Sequence, residues 1–159
     1  MNKLLLGVVV CAAAIGFLVA QALSSEPEQL NRLNSELDEL EAFSSVAVVQ
    51  IRNSDVLTKE EKNQYEKEFF SFDRALLDAQ FKVLITAGIY EAAELKKHGK
   101  LDEQKLDPLI ALQLAALKDA GKTPLQFVDE MLPIITNSVN KLQKRRNELQ
   151  KKFDPKLSR

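Results

Sequence analysis

The sequence predicts an all-α protein: an antiparallel bundle of about four helices following an N-terminal signal or anchor segment. Three observations predict it. Apolar residues recur at three-four spacing through long stretches. Helix-start signatures precede each stretch, and glycine or turn sequences follow it. No stretch alternates with the period of two that a strand requires, apart from the short β-branched run Val46–Ile51, which lies inside a helical frame.

The first helix is expected near residues 26–52. Ser25 and Glu28 have the spacing of a capping box, with Pro27 in the first turn. Leu30, Leu33, Leu37, Leu40, Ala47 and Ile51 then form a heptad seam broken only by Ser44, and Asn53-Ser54-Asp55 ends it.

Thr58 and Glu61 open a second helix expected near 59–98. Tyr65, Phe69, Phe72, Leu76, Ala79 and Val83 make its seam. Phe70, Leu77, Phe81, Leu84 and Ala87 are expected to widen that stripe. Lys96, Lys97 and His98 suit the negative end of a helix, and Gly99 suits a left-handed cap. A helix of this length exceeds the usual size, and Gly88 is the expected place for a bend or break.

Asp107 and Pro108 start a short third helix near 108–120, with room for an extra turn from Asp102. Leu109, Ile110, Leu112, Leu114 and Leu117, with Ala115 and Ala116, surround most of its circumference. That pattern predicts the most buried element of the fold. Thr123, Pro124 and Gln126 open the last helix, near 124–153. Its seam is Val128, Leu132, Ile135, Val139, Leu142, Leu149 and Phe153, with Arg146 as the exception. Pro133 is expected to kink it.

Charge adds a topological expectation. Residues 26–41 hold six acidic residues against Arg32, and residues 141–159 hold eight basic residues against Glu148 and Asp154. In an up-down-up-down bundle the start of the first helix would meet the end of the fourth, bringing opposite charges together. Each cluster also matches the dipole of its own helix.

The N-terminus carries an address. Met1-Asn2-Lys3 is a short basic start, residues 4–20 contain no charge, and Ala20-Gln21-Ala22 has small residues where a signal peptidase reads. Residues 1–22 are therefore expected to be a secretory signal peptide, leaving a single helical domain at 23–159 in a periplasmic or extracellular setting. Left uncleaved, residues 4–20 would serve as a membrane anchor at the lower limit of spanning length. Acylation of Cys11 fits poorly, because Val10 precedes it where a small residue is usual. The remaining 137 residues hold 21 basic and 23 acidic side chains and no cysteine. That balance argues against a nucleic-acid partner, and stability there has to come from packing without disulfides.

The inventory for catalysis is thin. No Glu-x-x-His pair is present for a two-metal bundle site, and the single histidine, His98, sits in a basic cluster at a helix end. No serine lies in a Gly-x-Ser-x-Gly setting, and Ala120-Gly121-Lys122-Thr123 lacks the first glycine and preceding strand of a phosphate-binding loop. No catalytic residue, metal ligand or cofactor site is expected, and the protein is read as non-enzymatic.

The aromatic cluster Tyr65, Phe69, Phe70, Phe72 and Phe81 is the candidate surface for a protein partner, for self-association or for an apolar ligand. Phe69, Phe70 and Phe72 cannot share one narrow face, so at least one points away from the seam. The basic run Lys141–Lys152 is a second candidate, for an anionic membrane surface or an acidic partner. The expected function is an exported or anchored protein acting through protein–protein interaction. The alternative is a secreted carrier holding a lipid or similar apolar ligand between its helices.

Overall fold

The computed structural model describes residues 25–157, so the proposed signal or anchor segment lies outside the described residues. Four α-helices follow one another: α1 (Glu26–Asn53), α2 (Lys59–Lys97), α3 (Pro108–Asp119) and α4 (Pro124–Leu157), with a 3₁₀ turn at Glu103–Lys105. There is no strand among the described residues. The described helices include none long and apolar enough to cross a membrane.

Local capping sets the helix ends. Glu28 accepts from the Ser25 backbone N–H at 3.3 Å. Glu61 accepts from the Thr58 N–H at 3.0 Å, while the Thr58 hydroxyl accepts from the Glu61 N–H at 3.2 Å. Thr123 and Gln126 repeat that exchange at 2.9 and 3.2 Å. Asp107 accepts from the Leu109 N–H at 2.8 Å, and Asp102 caps the 3₁₀ turn. Gly99 and Gly121 take φ of 66° and 68° just beyond α2 and α3. The Lys100 and Lys122 N–H groups then reach back to the Leu95 and Leu117 carbonyls, a closure that needs the left-handed residue between.

The three long helices bury their expected seams. Leu30, Leu33, Leu37, Leu40, Ala47 and Ile51 of α1 meet Tyr65, Phe69, Phe72, Leu76, Ala79 and Val83 of α2 and the full seam of α4 from Val128 to Phe153. The one polar seam position in α1, Ser44, is buried because its hydroxyl donates to Asp73 of α2. Thr86, fully buried in α2, donates to the Lys82 carbonyl one turn back at 2.7 Å.

One expectation about the helices themselves changes. α2 continues unbroken through Gly88, and the reason is a neighbour. A Cβ at Gly88 would lie 2.6 Å from Cδ1 and 2.9 Å from Cγ1 of Ile110. The glycine lets α3 seat against α2 and does not interrupt it. α4 runs continuously through Pro133, well inside its length.

The topology is also different from an up-down-up-down bundle. α1 and α2 are antiparallel, as Ser44–Asp73, Glu41–Gln80 and Arg52–Glu66 show. α2 and α4 are antiparallel: Tyr65 packs on Phe153 toward one end, while Phe81 shares a hollow with Phe127 and Met131 toward the other, and Arg145 and Lys152 hold Glu68. α1 and α4 are therefore parallel: Glu36 accepts from Gln143 at 2.8 Å, and Arg146 lies over the Phe43 ring. The chain after α2 doubles back through 98–107 before α3 begins beside Gly88. α3 then runs in the same direction as α2, since Leu114, Ala115 and Lys118 line the same hollow as Ala92, Ala93 and Lys96. The basic end of α4 consequently meets α2, through Glu68, and does not meet the acidic start of α1.

α3 is not the most buried element. Ile110 and Leu117 are buried, while Leu109 and Leu112 are exposed. A short helix resting on the outside of α2 and α4 covers only one side of itself.

Candidate interaction surface

The five aromatic residues singled out in the sequence separate into two groups. Tyr65, Phe69 and Phe72 are buried, with Phe43 of α1 and Phe153 of α4 around them. Ring centroids lie 4.2 Å apart for Tyr65–Phe153, 5.2 Å for Phe69–Phe153 and 5.9 Å for Phe43–Phe69. Tilted and edge-on arrangements dominate, which suits the ring quadrupoles. This cluster closes the end of the bundle beside the α1–α2 turn. The Arg146 guanidinium sits 5.3 Å from the Phe43 centroid, which explains the one charged residue in the α4 seam.

Phe70 and Phe81 lie outside the core. Phe70 is 73% exposed, Leu77 65%, Phe81 52% and Leu84 65%. The expected widening of the α2 stripe does not occur at these positions. A helix with neighbours on two sides buries about half its circumference, and these four side chains occupy part of the other half.

Their spacing is regular. Phe70, Leu77 and Leu84 are seven residues apart, and Phe81 falls between the last two at the complementary heptad position. They make a second seam on α2, roughly 21 Å long at 1.5 Å per residue. Leu77 and Leu84 are legible in the sequence as heptad repeats of Phe70. Only the placement of α1 and α4 shows that nothing in the described chain covers them.

The strip has defined borders. Val48 of α1, half-buried, flanks shallow hollows shared with Phe70 and Asp73 and with Leu77 and Gln80. At the other end Phe81 shares a hollow with Leu109 of α3 and Met131 of α4. α3 covers the continuation of this face toward the α2 C-terminus, seated at Gly88. Arg74 and Asp78 stand beside the strip. Asp78 pairs with Lys82, while Arg74 is exposed and makes no ion pair among the described residues.

The other candidate, Lys141–Lys152, is placed differently. Its apolar members Leu142 and Leu149 face the core, and Arg145 and Lys152 grip Glu68 at 3.1 Å and through a short contact of 2.5 Å. His98 is the C-cap of α2, 3.7 Å from Glu94. No group of three or more His, Cys, Asp or Glu side chains among the described residues is placed to hold a metal ion. Comparison with protein-family models, with curated proteins and with solved structures finds no match to this chain.

Proposed function

We propose that this protein is a non-enzymatic helical bundle, exported or held at a membrane by its N-terminal segment, that acts through protein–protein contact. Its α2 outer strip is the contact surface, and a second copy of the chain is the partner. The observation that carries this reading is the exposed heptad run Phe70, Leu77, Phe81 and Leu84 on a bundle whose other long seams are closed.

A helix is the fitting occupant, because α3 already covers the adjoining part of the same face as a helix. Self-pairing also matches in charge. Two antiparallel strips with Phe70 of each against Phe81 of the other bring Leu77 onto the aliphatic stem of Arg74. The Arg74 guanidinium then lies opposite Asp78 of the second copy, and Asp73 lies opposite Gln80. No like charges meet, and the exposed arginine gains a carboxylate. Such an interface is isologous and closes as a dimer.

Each strip side chain contributes about 1–2 kcal/mol when buried from its largely exposed state. The pair Phe70→Ser and Leu77→Ser removes four such side chains from a dimer, weakening it by roughly several hundredfold or more. Both positions are exposed, so the helical fold should persist by circular dichroism. Sedimentation equilibrium of the chain as processed in cells should give a dimer for the parent and a monomer for the double variant. A parent that stays monomeric at high concentration, or a variant that dimerises equally well, overturns the reading. A mass spectrum of the same preparation tests the export component: loss of residues 1–22 is the expected result for a cleaved signal.

A further inference from the structure

α3 presents a discrepancy. It is strongly apolar, yet only Ile110 and Leu117 of its side chains enter the core. Ala111, Leu114 and Ala115 face a hollow of about 580 Å³. The hollow lies among the last turns of α2, the returning segment 98–107, α3 and the turn into α4. Its apolar surface comes from Ala92 and Ala93 of α2, Leu101 and Leu106 of the returning segment, and Ala111 and Leu114 of α3. The leucines among these are half-buried, so apolar area remains open to a ligand. The size falls within the range of about 300–1,000 Å³ common for small-molecule sites.

One sign of charge prevails around it. Lys96, Lys118 and Lys122 all line the hollow, against Glu103 alone among its lining carboxylates. Lys122 is engaged with Glu130 at 2.6 Å. Lys96 and Lys118 make no ion pair among the described residues. The start of α4, at Thr123 and Pro124, adds the positive end of a helix to the same wall.

We propose that this hollow binds a fatty-acid-like anionic amphiphile, its chain against Leu101, Leu106 and Leu114 and its carboxylate between Lys96 and Lys118. An apolar wall accounts for the chain and two uncommitted ammonium groups account for the head. The site is separate from the α2 strip and does not depend on self-association. Variants in one should leave the other intact.

The test is calorimetric titration of the chain, as processed in cells, with dodecanoate and with dodecanol. Dodecanoate should bind one per chain, and dodecanol about tenfold more weakly. K96Q combined with K118Q should weaken dodecanoate by about tenfold and leave dodecanol unchanged, the size expected for two partly exposed charge contacts. A115W, which places an indole in the opening at an exposed position, should remove binding of both. Absence of dodecanoate binding up to its solubility limit overturns the proposal. So does equal binding by the lysine and A115W variants, and so does binding only to anionic lipid vesicles with no uptake of monomeric dodecanoate.

Discussion

The contact between Gly88 and Ile110 provides a test in which the sign of a mutation depends on its neighbour. Gly88→Ala has two opposing effects. Alanine in place of glycine inside a helix stabilises by about 1 kcal/mol. The added methyl would lie 2.6 Å from Ile110 Cδ1 and 2.9 Å from Cγ1, against an ordinary carbon–carbon contact of about 3.5–4.0 Å. Relieving an overlap of about 1 Å requires Ile110 to leave its rotamer or α3 to shift outward, and overpacking of this kind costs about 1–3 kcal/mol. Ile110 is one of the two buried residues of α3, so it has little room to move. The expected net effect in the parent is a destabilisation of about 1 kcal/mol. Ile110→Ala alone should cost about 2–3 kcal/mol, the lower part of the range for such truncations, because α3 packs on one side only. In the Ile110→Ala background the clash is gone, and Gly88→Ala should stabilise by about 1 kcal/mol. Urea unfolding of the four proteins gives a coupling of about 2 kcal/mol, and thermal unfolding shows opposite shifts of about 3–5 °C per kcal/mol. If Gly88→Ala stabilises equally in both backgrounds, α3 does not sit on α2 at this glycine, and the account of the unbroken α2 fails.

Two further outcomes follow from the core. Ser44→Ala should destabilise by about 1–2 kcal/mol in urea unfolding, because half-buried Asp73 loses its donor, and an unchanged midpoint would show that the carboxylate finds water instead. Arg146→Met should be neutral or stabilising by up to about 2 kcal/mol, since it keeps the apolar stem and removes an Nε that is buried without a hydrogen-bond partner. The lost contact with Phe43 offsets about 0.5–1 kcal/mol of that gain. A loss above about 2 kcal/mol on thermal unfolding would mean that the guanidinium contributes more than its stem.

Part of the candidate surface is legible in the amino-acid pattern. The crowding of Phe69, Phe70 and Phe72 requires one ring to leave the seam, and Phe70 is the one that does. The recurrence of leucine at 77 and 84 is equally visible. What the pattern lacks is the number of neighbours around α2. The same apolar residues read as a wider core stripe where three helices surround α2 and as an exposed strip where only α1 and α4 flank it. The hollow beside α3 is out of reach of such a pattern, because Leu101 and Leu106 belong to a segment of irregular backbone whose path no periodicity records.

Sequence alone determined the helices and their inward seams. Capping is an exchange between residues three apart, and a seam is set by 3.6 residues per turn, so both are local and survive any arrangement of the bundle. Tertiary structure decided everything that depends on which helix lies beside which. The α1–α2 turn is short and forces an antiparallel pair. The chain between α2 and α4 instead doubles back and spends a short helix on the return, leaving α4 parallel to α1 and the acidic start of α1 away from the basic end of α4. That single topological choice, made by packing Ile110 onto Gly88 and closing the α4 seam against both long helices, leaves the outer face of α2 bare and opens the hollow at its end.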